Sequence, residues 1–264
     1  MKTAIKLVLI YFGFQILGAL LAVIYGTIHS LIEYGDISQA QNISLPFVML
    51  LGFLFMTAYL WKAGYISKEK VAWSPVSAGY LVLTIILYGG AVILIDFITS
   101  LMPWLPDIMK STFDVLQSGW LGILCIAVIG PVLEELLFRG AITKVLLKKY
   151  SPVKAIVFSA LVFGIFHINP AQVVSATLIG LLIGWVYYKT ASLIPCILMH
   201  ILNNSLSVFL NLRYPDVEST SELFTGNTYY FVLAVALVVF ISIFWAMKKM
   251  TVPYPWKEET DNNI

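Results

Sequence analysis

Long apolar stretches leave this chain few ways to fold. At about 20 residues per membrane span, eight stretches qualify, over roughly 4–28, 46–63, 76–101, 119–143, 153–168, 171–189, 192–212 and 228–248. The fifth is short. With 60% hydrophobic and 11% charged residues in 264, and a mean hydropathy of +0.90, the composition excludes an ordinary soluble domain. The expected fold is an all-α polytopic membrane protein of about eight transmembrane helices. The first stretch is too long for a signal-peptide core and no Ala-x-Ala-like site follows it, so it reads as a retained span. The ending Asp261-Asn262-Asn263-Ile264 carries no cysteine for lipidation.

Charge is distributed unevenly between the two sides of an eight-span arrangement. Lys2, Lys6, Lys62, Lys68, Lys70, Lys144, Lys148, Lys149, Lys154, Lys189, Lys248, Lys249 and Lys257 fall on one side, and only Lys110 and Arg213 on the other. By the positive-inside rule both termini are expected in the cytoplasm. The segment from Pro103 to Gln117 is too polar to span. Leu105, Ile108, Met109 and Leu116 alternate there with Asp107, Lys110 and Asp114 at helical spacing, which predicts either an amphipathic segment on the outer surface or a packed loop.

The fourth span holds adjacent carboxylates, Glu134 and Glu135. Each costs on the order of 2.5–3.5 kcal/mol at the centre of a membrane helix, so the pair needs partners or a function. Residues four apart share a helix face, which directs Glu135 to Arg139 and leaves Glu134 for a cavity. Gly130-Pro131 lies one turn earlier. A proline at this depth frees a carbonyl that protein or cavity water must satisfy.

The remaining polar residues of the spans are few. His29 near the end of the first span reads as a solvated interfacial histidine, and Asp96 lies near enough to the outer surface to reach water. Phe163 and His167 close the fifth span before Asn169-Pro170, where a histidine can simply favour the negative end of a helix. Gly180 and Gly184 form a small-residue face for close helix packing. His200 and Asn204 share a face of the seventh span and, taken alone, could be interhelical hydrogen-bonding groups. Cys125 and Cys196 read as buried free thiols.

Depth argues for a shared site. At about 1.5 Å per residue, Glu134 lies about 15 Å from Lys144, His167 about 20 Å from Lys154, and His200 and Asn204 about 12 and 18 Å from Ser192. Separate packing residues have no reason to coincide near the membrane midplane on three helices. A carboxylate with a histidine can take a proton from water, and a histidine with an amide can donate to an oxyanion. That equipment suits acyl-bond hydrolysis without a covalent intermediate. No serine nucleophile motif is present, and burial disfavours Cys196 as a thiolate.

The motifs Glu134-Glu135-x-x-x-Arg139, Phe163-x-x-x-His167 and His200-x-x-x-Asn204 resemble those of the CAAX-protease and bacteriocin-processing family of intramembrane proteases. The resemblance covers about residues 118–210. It implies an eight-helix membrane endopeptidase whose eukaryotic relatives remove the C-terminal tripeptide from prenylated proteins, with bacterial relatives linked to bacteriocin immunity and peptide maturation. Carried over by motif, Glu134 and His167 would activate water, His200 and Asn204 would bind the oxyanion, and Glu135, Arg139 and Phe163 would support the site. The chain then divides into N-terminal helices with the outer segment (1–117), a catalytic core (118–210), and an outer loop, last helix and tail (211–264).

No cofactor is favoured. Zn is the alternative, held by Glu134, His167 and His200, although the His-Glu-x-x-His spacing is absent. The expected partners are the lipid bilayer, here a bacterial plasma membrane, and a membrane-associated peptide or protein, with no nucleic acid. The same residues also suit two other functions: a proton-coupled transporter, and a non-catalytic peptide-binding immunity or scaffold protein.

Overall fold

The computed structural model describes residues 1–66, 70–217, 219–224, 227–250 and 254–256. Lys68, Lys257 and the tail beyond residue 256 therefore lie outside the described residues, as does the side chain of Lys70. Nine helices organise the rest: α1 (Lys2–Tyr34), α2 (Ala40–Lys62), α3 (Ala78–Ser100), α4 (Lys110–Gln117), α5 (Trp120–Lys149), α6 (Pro152–Phe166), α7 (Pro170–Thr190), α8 (Leu193–Arg213) and α9 (Thr228–Met250). Seven of these are long and apolar enough to cross a membrane. The exceptions are α4 and α6, and no strand occurs among the described residues. The chain is a polytopic helical membrane protein.

Local chemistry explains where the helix ends depart from expectation. α1 continues through His29 to Tyr34 and stops at Gly35, whose φ of 78° lets its N–H close on the Leu31 carbonyl at 3.1 Å. The stretch expected as outer loop is therefore helical, and the Nδ1 of His29 is buried, not solvated. α2 begins at Ala40, ahead of Pro46. The segment expected on the outer surface is helical only over Lys110–Gln117, with residues 101–109 mostly in turns. Asp96 is half-buried and accepts from the N–H and hydroxyl of Thr220 at 3.0 and 2.5 Å, tying α3 to the loop after α8.

α5 and α8 pack together at the centre, with α2 against α5, the α6–α7 hairpin on the same core, and α9 on α3. At about 1.5 Å per residue the 15 residues of α6 reach about 22 Å, short of the roughly 30 Å hydrocarbon core. Residues 106–108 meet the chain just past the C-terminal end of α6, at Asn169 and Ala171. At the opposite end Lys144 donates to the Tyr65 carbonyl at 2.6 Å and Lys189 to that of Lys248 at 3.2 Å. Cations from separate segments therefore gather at one end of the bundle.

Candidate active site

The glutamate helix is irregular on both sides of its carboxylates. π-helical turns at Cys125–Ile129 and Phe138–Thr143 flank the regular stretch Gly130–Leu137. In the first, the Gly130 N–H bonds five residues back to the Cys125 carbonyl. Pro131 has no N–H, so in the same spacing the carbonyl of Ile126 loses its donor. Asn204 replaces it: its Nδ2 donates to the Ile126 oxygen at 2.8 Å. Here protein, not water, satisfies the carbonyl that the proline frees. Asn203 donates to the Asn204 Oδ1 at 3.2 Å, which fixes which end of that amide faces Ile126.

The two carboxylates separate as the helical-face argument requires. Glu135 is fully buried, and its Oε1 accepts from the Nη1 of Arg139 at 2.8 Å. Arg139 also donates through Nη2 to the Gly180 carbonyl at 3.1 Å and stacks over the Phe163 ring at 4.8 Å. The approach of Gly180 is tight. A Cβ there would lie 3.1 Å from the Phe163 ring and 3.3 Å from the Ala160 backbone, so α7 can present this carbonyl because the residue is glycine.

Sequence reasoning missed the second partner of Glu135. The same Oε1 accepts from His200 Nδ1 at 2.7 Å, so one carboxylate braces its own helix and orients a histidine of α8. The i, i+4 rule finds neighbours on one helix and carries no information across two.

Glu134 faces the histidines. Its Oε2 is buried, without a hydrogen-bond partner among the described residues, and lies 3.9 Å from His167 Nε2 and 3.8 Å from His200 Nε2. Both imidazoles have their other nitrogen committed. His167 Nδ1 lies 2.8 Å from the Phe163 carbonyl, which can only accept, so Nδ1 carries the proton and a neutral ring presents a bare Nε2 to Glu134. The ring of Phe163 lies edge-on to both histidines, at 4.8 and 5.6 Å between centroids. The sequence-nominated residues Glu134, Glu135, Arg139, Phe163, His167 and His200 therefore form one cluster, and Asn204, one turn beyond His200 on α8, bonds instead to the Ile126 carbonyl of α5.

Tyr11 of α1 packs its ring on Phe166, next to His167, at 4.7 Å, and nothing in the pattern of α1 marked it. Cys125 and Cys196 are free and fully buried, with Cys196 Sγ 3.4 Å from the Ser192 carbonyl, so neither offers an accessible thiol.

Zn with nitrogen and oxygen ligands at 2.0–2.2 Å in a tetrahedral shell sets those ligands about 3.4 Å apart. The separations of 3.8 and 3.9 Å are wider, and no group of three His, Cys, Asp or Glu among the described residues is placed to hold a metal ion. A water donating to two acceptors at about 2.8 Å each would set them about 4.4 Å apart, so the observed separations lie between the two spacings.

A membrane-embedded cluster of carboxylate, histidines and amide on three helices defines a class of site, and comparison with known proteins points the same way. Residues 116–206, which hold every motif residue, match the family model described as Type II CAAX prenyl endopeptidase Rce1-like. The chain is also similar to the Bacillus subtilis protein named "Putative membrane peptidase YdiL", at 28% identity over 125 residues, 46% of this chain and 51% of that protein. The chain thus spans about half the length of this relative. No solved structure matches the chain.

Proposed function

We propose that the protein is an intramembrane endopeptidase that hydrolyses a peptide bond of a membrane-associated peptide or protein with a water activated by Glu134. The observation that carries this reading is the placement of Glu134 Oε2 between two Nε2 atoms, at 3.9 and 3.8 Å, with both Nδ1 atoms engaged elsewhere. The match of residues 116–206 to the prenyl endopeptidase family model, and the similarity of the chain to a protein named as a putative membrane peptidase, support it.

Water between Glu134 and His167 donates one hydrogen to the carboxylate and the other to the bare Nε2, which aims an oxygen lone pair away from both. Glu134 takes the proton as the oxygen attacks the scissile carbonyl carbon. The resulting oxyanion accepts from His200 Nε2–H and from the second N–H of the Asn204 amide, whose first is held by Ile126. For His200 to donate from Nε2 while Nδ1 serves Glu135, its ring must carry both protons, and Glu134 and Glu135 together balance the charges of His200 and Arg139. The proton held by Glu134 then passes to the leaving nitrogen as the C–N bond breaks.

No metal takes part in this scheme, and the lysine-rich end with both termini is cytoplasmic. Membrane peptides that accumulate uncut in cells producing Glu134→Gln are the candidate substrates. Purified wild type should cleave them, with chelator present, about 10²–10⁴-fold faster than Glu134→Gln. A Glu134→Gln protein that cleaves at the wild-type rate, or wild-type activity lost with a bound metal, overturns the scheme.

A further inference from the structure

The residue after His167 occupies a conformation that its side chain resists. Ile168 has φ +62°, in the left-handed region, where a β-branched residue is an outlier. A helix ending this way ordinarily uses glycine. The next residue, Asn169, is fully buried and bonded through both ends of its amide. Its Nδ2 donates to Asp107 Oδ1 at 2.9 Å, and its Oδ1 accepts from the Ile108 N–H at 3.1 Å. The Ala171 N–H closes on the Pro106 carbonyl at 3.3 Å. Asp107 is exposed and also accepts from the Met109 N–H at 3.0 Å. The outer segment therefore grips the turn on which His167 sits.

We propose that Asp107 and Asn169 are positioning residues for His167, holding Ile168 left-handed so that α6 ends directly after the histidine with its imidazole facing Glu134. Neither side chain reaches the carboxylate cluster. Their effect passes through the backbone of Ile168, and the His167 ring, fastened by Nδ1 to the Phe163 carbonyl of the last turn, follows that backbone. Without the grip, nothing offsets the strain at Ile168. The turn opens, and the 3.9 Å separation from Glu134 is no longer fixed. The consequence for turnover rests on the peptidase reading, whereas the consequence for the histidine ring does not.

The test uses the full-length protein in bicelles with ¹⁵N-labelled histidine, of which there are three, assigned by His167→Gln and His200→Gln. Wild type should show His167 as a single Nδ1–H tautomer. Asp107→Ala removes an exposed side chain and leaves the core intact. It should move the His167 ring signals toward the average of two tautomers while those of His29 and His200 stay in place. Asn169→Ala should act in the same direction and further. Adding Ile168→Gly, which adopts the left-handed region without strain, should restore the signals in Asp107→Ala. In cleavage assays Asp107→Ala should lower kcat about ten- to a hundredfold with KM nearly unchanged, and Ile168→Gly should recover most of it. Unmoved His167 signals in folded Asp107→Ala and Asn169→Ala, or no rescue by Ile168→Gly, overturn the proposal. A chain that cleaves nothing removes the peptidase reading, and the ring signals still decide the clamp.

Discussion

Two helices of nearly equal apolarity have opposite surroundings. α9 has a mean hydropathy of 2.6 over its best window and buries 11% of it, whereas α5, at 2.1, buries 61%. In water the more apolar helix would be expected at the centre. In a bilayer, lipid tails are as apolar as leucine, so hydropathy decides whether a helix inserts and not where it sits in the bundle. The centre is taken by the helix with something to satisfy: Glu134, Glu135, Arg139 and the carbonyl freed by Pro131. Protein groups from α7 and α8 satisfy Arg139, Glu135 and the freed carbonyl, and His167 of α6 and His200 of α8 face Glu134 at 3.9 and 3.8 Å. Polar demand, and not hydrophobicity, organises this bundle around α5.

The comparison is tested most severely at Glu135. Leaving one member of a buried ion pair unmatched costs about 3–5 kcal/mol, so Glu135→Gln should lower the melting temperature sharply in detergent. Glu135→Gln with Arg139→Met should recover part of that loss. Since Glu135 also holds His200 at 2.7 Å, the double variant should regain stability without regaining cleavage. Recovery of both would show that Glu135 is a structural brace only.

A smaller effect is expected where α7 touches this core. In Gly180→Leu the side chain must displace Phe163 and the backbone around Ala160, and overpacking of this kind costs about 1–3 kcal/mol. The same change moves the carbonyl that receives Arg139. Thermal melting should place Gly180→Leu between Glu135→Gln and wild type. A variant as stable as wild type would mean that the α6–α7 contact is loose.

Much of this was legible in the sequence, for identifiable reasons. The long spans emerge because insertion demands length and apolarity, and the motif residues converge because charged and amide groups in lipid have few other places to go. Helix ends set by a single residue were less visible: α1 runs to its cap at Gly35, past the expected end of the first span near residue 28. Contacts between helices were not visible at all. The bonds from His200 to Glu135 and from Asn204 to Ile126 depend on how each helix is rotated about its axis. In water an apolar stripe reveals that rotation. Here the lipid face is apolar too, and the stripe disappears.

The smallest predicted effect probes that rotation within α9. Tyr229, Ala236 and Met247 are its buried residues, and Ala236 lies where α9 meets Gly90 of α3, its carbonyl 3.0 Å from where a Cβ on that glycine would be. Val238, two residues on, is 64% exposed. Both are small apolar residues of one helix, and only their facing differs. Val238→Ala removes methyl groups from a surface that lipid re-covers without leaving a cavity, so its stability should stay within about 0.5 kcal/mol of wild type. Ala236→Leu adds bulk against α3 and should cost about 1–3 kcal/mol. Melting both variants in one detergent gives the contrast directly. Equal effects would show that α9 does not hold one fixed face toward α3. A loss of more than about 1 kcal/mol in Val238→Ala would show that protein, not lipid, covers this surface.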